Sequence, residues 1–126
     1  MVTRKDILMG RDVKYPITQD MEANLHKLLL AVNKLGAAYW PNLEVSSGYR
    51  PPEINASVAG AAKKSKHQVC LAVDFKDPDG TVDKFCMDNL ELLEEAGLWL
   101  ESPDHTPGWC HVQCVPPKSG KRVFIP

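Results

Sequence analysis

Four positions in this chain carry side chains that stand apart from their surroundings. His67 follows Ser65-Lys66, and Asp74 comes seven residues later as the one carboxylate in the apolar run Leu71-Ala72-Val73-Asp74-Phe75. His111 interrupts Trp109-Cys110-His111-Val112-Gln113 in the same way, and Arg50 closes Ser47-Gly48-Tyr49-Arg50. A carboxylate buried without a partner is costly, and a metal ion or a strong hydrogen bond relieves that cost. Two imidazoles and one carboxylate suit a catalytic zinc ion, because three protein ligands leave a fourth position for water. The same residues also read as hydrogen-bonded core side chains, and spacing alone leaves both readings open. A sulfur site is a weaker option. Cys110 and Cys114 flank His111, but on an extended strand residues 109, 111 and 113 face one way and 110, 112 and 114 the other. The cysteines then point away from the histidine.

The elements that must position these residues are an amphipathic helix, a small sheet and a second helix. Met21, Leu25, Leu28, Leu29, Val32 and Leu35 recur at helical spacing, which predicts a helix over 18–35 with Thr18 as its cap and Gly36 as its stop. After Trp40-Pro41-Asn42, a short strand is expected over 43–46, and Pro51-Pro52 opens a short helix through Asn55. Residues 57–66, rich in Ala, Gly and Lys, read as an irregular connection. A second strand, 70–75, runs to the turn Asp77-Pro78-Asp79-Gly80, after which Thr81 caps a helix reaching about Glu95, with Gly97 ending it. The rest reads as a hairpin (98–101 and 109–115 around a loop over 102–108) and a last short strand over 123–125. Helices against a small, mostly antiparallel sheet make an α+β fold.

At 126 residues, the chain is expected to form one domain, 1–126, large enough for a core without disulfide staples. Fifteen basic against sixteen acidic residues leave a net charge of −1, which argues against a nucleic-acid protein. Lys118, Lys121 and Arg122 near the end read as solvated charges. No apolar run reaches the ~20 residues of a membrane span, and the first eleven residues hold no signal-peptide core. The expectation is synthesis in the cytosol, where Cys70, Cys86, Cys110 and Cys114 stay free thiols. Cys110 and Cys114 on one strand would lie ~13 Å apart, too far to bridge each other.

Taken in order, Ser47-Gly48-Tyr49-Arg50, then Ser65-x-His67-x6-Asp74 with Ala72 inside it, then Trp109-x-His111 resemble the D-alanyl-D-alanine peptidase family. That family includes zinc D,D-carboxypeptidases, the D,D-dipeptidase of vancomycin resistance and L-alanyl-D-glutamate endopeptidases of phage lysis. The resemblance covers about Leu43 to Gln113. It implies a hedgehog-like α+β fold, one zinc ion on His67, Asp74 and His111, an Arg50 that meets substrate and tetrahedral intermediate, and a Ser65 close to the substrate. Two departures stand out. The family usually has glycine where this chain has Cys70, which shares a face with Ala72 and Asp74 if the strand is regular that far. Many members also place a catalytic carboxylate three residues before the last histidine, where this chain has Gly108. Asp104 and Glu101 are the replacement candidates, with His105 behind them.

The expected activity is therefore zinc-dependent hydrolysis of a peptide bond in a bacterial cell-wall (peptidoglycan) peptide, of carboxypeptidase or endopeptidase type. Asp104 or Glu101 would move the proton and Arg50 would stabilise the oxyanion. The rival reading is a non-catalytic zinc domain serving a phage virion or binding cell wall; Gly108 favours it, whereas Arg50 with Ser65 favours the enzyme. Without an export signal, such a hydrolase would reach cell wall through host lysis, as a phage endolysin does, or in a virion.

Overall fold

The computed structural model describes residues 1–39, 42–58 and 64–126. Part of the expected connection 57–66 and the Trp40-Pro41 pair lie outside the described residues.

The long helix forms as its periodicity requires, but it is longer than expected. Helix α2 spans Gln19–Ala38, with the Thr18 hydroxyl accepting the Met21 N–H and Leu25, Leu28, Ala31, Val32 and Leu35 buried. Gly36 does not stop it: the helix runs on until Tyr39 turns extended, its N–H bonding back to the carbonyls of Leu35 and Gly36. A methyl group on Gly36 would sit 3.7 Å from Leu43, an ordinary van der Waals contact, so the packing here leaves room for a side chain. Ahead of it, a five-residue helix that the sequence did not announce, α1 (Arg4–Leu8), is closed at its start by a Thr3–Asp6 capping box.

Five strands make one sheet: β1 Val45–Ser47, β2 Ala72–Asp77, β3 Trp99–Glu101, β4 Gly108–Gln113 and β5 Val123–Phe124, in the order β1-β2-β4-β3-β5. Every pairing is antiparallel except β3 with β5. The fold is α+β. Val73 and Phe75 of β2, Leu100 of β3 and Cys110 and Val112 of β4 are fully buried in one core with the inner face of α2. By strand alternation, Asp74, His111 and Glu101 stand on the opposite face.

Four local expectations need correction. The strand begins at Ala72, because Cys70 adopts φ 62° as the left-handed end of a 3₁₀ turn over Lys66–Val69. Cys70 therefore shares no strand face with Asp74 and is packed in the core. A glycine-favouring φ at this position also accounts physically for the glycine it usually holds in the resembling family. Next, beyond the expected short helix α3 (Pro52–Asn55), the helix after the turn is two helices, α4 (Thr81–Asp88) and α5 (Leu90–Ala96). They part at Asn89, whose side-chain amide donates to the Phe85 carbonyl at 2.8 Å. Thr81 does not cap α4; the Asp77 carboxylate does that work, accepting the N–H groups of Val82 and Asp83 at 2.9 Å each. Finally, Arg122 is not a solvated tail charge. Its guanidinium lies 4.4 Å from the centre of the Trp99 ring and donates to the Leu98 carbonyl at 2.7 Å. The four cysteines are free and buried, Cys110 and Cys114 included.

Candidate metal centre

Two neighbouring strands and one turn bring His67, Asp74 and His111 together. Asp74 of β2 stands directly opposite His111 of β4 in the ladder, so both side chains leave the same face. His67 arrives from the 3₁₀ turn just before β2. There Ser65 is the cap, its hydroxyl accepting the His67 N–H at 3.1 Å. The three ligand-type atoms lie within 4.8 Å of one another, and all three residues are buried. The two imidazole rings meet edge to face, with centroids 5.2 Å apart.

A segment clamped from the N-terminus holds His67 in this position. Ile7 at the end of α1 accepts the Tyr49 N–H at 2.7 Å, and Arg11 donates to the Tyr49 carbonyl at 2.8 Å. That fixes the Gly48 carbonyl, which lies 2.8 Å from His67 Nδ1. A carbonyl only accepts, so Nδ1 carries the ring hydrogen and Nε2 presents a lone pair. Nε2 has Asp74 Oδ1 at 3.2 Å, yet it is buried and without a hydrogen-bond partner among the described residues. Two acceptors thus face each other across a gap that a cation would fill. A proton is a poor candidate for that cation, because burial lowers the His67 pKa despite the opposing pull of Asp74. The donor set fits a metal ion.

The charges around the cluster are strongly coupled. Burial pushes the Asp74 carboxyl up, but the contacts with His111 and His67 outweigh it and hold the group well below the usual carboxylate range. Burial works to lower the His111 pKa, and its 2.9 Å contact with Asp74 more than reverses this. Arg50 is buried beside them. Its N–H donates to the His67 carbonyl at 3.0 Å, and its Nη2 lies 3.5 Å from the Ser65 hydroxyl. Burial lowers the guanidinium pKa and the Asp74 charge opposes that. Nε of Arg50 is buried with no partner among the described residues.

The two carboxylates named beside Gly108 are placed differently. The β3–β4 register pairs Leu100 with Val112, and one step further brings Glu101 level with His111 on the same face. Glu101 is half-buried. Burial raises its carboxyl pKa, with His111 drawing it down and Asp74 pushing it up. Asp104 lies in the exposed 3₁₀ turn Pro103–His105, and His105 is exposed next to it. Phe124 of β5, unremarked in the sequence, closes one side, its ring 6.1 Å from that of His111. The Gly48 carbonyl was also missed, since a main-chain acceptor has no residue signature.

A family model described as peptidase M15 matches residues 5–97. The chain belongs to the peptidase M15 family. This is the D-Ala-D-Ala carboxypeptidase-like family of zinc peptidases, and the chain is accordingly a metallopeptidase. The matched stretch holds Arg50, Ser65, His67 and Asp74; His111 lies beyond it and joins the cluster through the β2–β4 ladder. No curated protein and no solved structure matches the chain. Among the described residues, no helix is long and apolar enough to cross a membrane.

Proposed function

We propose that this M15 peptidase hydrolyses a peptide bond in bacterial cell-wall peptides, with one zinc ion held by His67, Asp74 and His111. The observation that carries the proposal is the buried His67 Nε2, which faces Asp74 Oδ1 beside His111 and has no hydrogen-bond partner among the described residues. Zinc on three such ligands supplies a Lewis acid that polarises a carbonyl and makes water acidic near neutral pH.

The remaining chemistry belongs to the chain's own groups. Glu101, level with His111 on the open side of the sheet, takes the proton of the attacking water and returns it to the leaving nitrogen. Its burial favours this role, since a raised carboxyl pKa makes a stronger base and a usable acid near neutrality. Asp104, exposed on its turn, lacks that setting. Arg50 offers fixed positive charge to the carbonyl oxygen as it becomes anionic, or grips a substrate carboxylate with its fork of N–H donors. Ser65 holds the His67 main chain and the Arg50 guanidinium in place and borders the bound peptide.

Elemental analysis of the purified protein should find about one zinc per chain. His67→Ala, Asp74→Ala and His111→Ala should each lose it, and digestion of purified peptidoglycan should stop on adding a chelator. Full metal content in all three variants would remove the site. A zinc-loaded protein that releases no peptide from peptidoglycan over a broad pH range would overturn the proposed cell-wall substrate.

A further inference from the structure

The His111 ring has two neighbours. Nδ1 lies 2.9 Å from Asp74 Oδ1, and Nε2 lies 3.1 Å from the side-chain oxygen of Gln113. Gln113 is buried two residues along β4, on the same face as His111. Its own orientation is fixed from the far side, where the amide nitrogen donates to the Val115 carbonyl at 3.0 Å. A carbonyl accepts only, so the NH₂ end must face Val115 and the oxygen is left toward the imidazole. Asp74 Oδ1 and the Gln113 amide oxygen both accept only, so the one hydrogen of a neutral His111 can serve either; when a cation takes Asp74 and Nδ1, that hydrogen goes to Nε2 and the Gln113 oxygen accepts it. Nδ1 then keeps its lone pair, turned toward Asp74 and His67.

We infer that Gln113 is a positioning residue that fixes the His111 tautomer and aims Nδ1 at the metal position. The inference rests on the metal centre proposed above. Its physical content is a competition. Without the acceptor, a neutral His111 can move its hydrogen to Nδ1 and donate to Asp74 Oδ1, already at hydrogen-bond distance. That arrangement satisfies both residues and removes one ligand lone pair from the metal. The Gln113 oxygen gives the ligand tautomer an acceptor for its hydrogen and disfavours the other, whose Nε2 lone pair would face that oxygen. His67 receives the same service from the Gly48 carbonyl, but there the acceptor is main chain. Of the two supports, only that of His111 can be altered by changing a side chain alone.

The test measures zinc affinity of the full chain by competition with a chromophoric chelator, for the parent, Gln113→Met and Gln113→Glu. Met keeps the length and removes the acceptor; Glu keeps an oxygen facing the ring. Gln113→Met should bind zinc about 10–100-fold more weakly, the usual cost of losing such a support, while Gln113→Glu stays within a few-fold of the parent. Proton–nitrogen correlation NMR of the zinc-loaded parent should show the His111 ring hydrogen on Nε2. Equal affinities in the three folded proteins would overturn the inference. Should Gln113→Met fail to fold, the spectrum decides, because a ring hydrogen on Nδ1 in the loaded parent overturns it equally. A parent that binds no zinc is a distinct result and removes the metal centre together with this role.

Discussion

Asp83 gives the most quantitative test of the packing behind the site. It projects from α4 into the core, 6% exposed, and one carboxylate oxygen accepts the Thr106 hydroxyl at 3.1 Å. The other is buried with no hydrogen-bond partner among the described residues. Burial pushes this carboxyl up to about 6; bonds from Cys110 and Thr106 pull it down, while the charges of Asp77 and Glu101 push it further up. In the unfolded chain the group titrates near its ordinary 3.8. The folded protein therefore holds a proton that the unfolded chain has released. The stability this contributes is fully present below pH 3.8 and lost as the pH rises through about 6. At ~1.4 kcal/mol per pH unit of separation, the whole effect is ~3 kcal/mol. Asp83→Asn keeps the size and cannot ionise. Relative to the parent, the variant should gain about 2 kcal/mol between about pH 4.5 and about pH 8, measured by urea unfolding of metal-free protein. Taking the difference at each pH removes the opposite dependence of Asp74, whose lowered pKa contributes stability that is lost on acidification. The amide's surplus N–H lacks a partner at every pH and cancels in the same way. A parent–variant difference that is equal at both pH values would refute the reasoning.

Glu101→Gln should lower peptide hydrolysis by about 10²–10⁴-fold with zinc still bound, whereas Asp104→Asn should stay near the parent rate in the same assay. Arg50→Ala should keep zinc by elemental analysis and lose on the order of 10²–10³-fold in turnover, the scale of removing one oxyanion donor. Gly48→Ala should damage fold and site together, because its Cβ would lie 2.1 Å from the Ile7 carbonyl oxygen, a main-chain atom. A loss of ~1–3 kcal/mol in thermal unfolding, with reduced zinc content, is the expected outcome.

How much of this was readable in the residues depends on the kind of signal. His67, Asp74 and His111 were legible because an ionisable group alone in an apolar run is costly without a reason. The long helix was legible from its period, but its end was not: Gly36 reads as a stop, yet the helix runs on to Ala38 and ends where Tyr39 turns extended. Helix α1 left no period to detect in five residues, yet it sets the Gly48 carbonyl through Ile7 and Tyr49. The break between α4 and α5 depends on the Asn89 side chain replacing a main-chain bond, a local choice that the apolar pattern does not register. Alternation placed Gln113 on the His111 face; its amide direction needed Val115.

Gly108 shows why the proton-transfer group could not be read from position alone. Three residues before His111, it opens β4 at φ 92°, a conformation that other residues rarely adopt. A carboxylate there would require the strand to start differently. The sheet offers a substitute at the same height, because β3 runs antiparallel beside β4 and its last residue comes level with His111. Asp74, His111 and Glu101 then form one row across β2, β4 and β3. In the proposed mechanism Glu101, one step beyond the Leu100–Val112 pair, takes the role that the resembling family gives to the position of Gly108. Register fixes Glu101 relative to His111 more firmly than an exposed turn can fix Asp104. The pair of variants above tests this directly: if Asp104→Asn is the slow enzyme and Glu101→Gln the normal one, the turn must fold back over the metal and the row across the sheet is only structural.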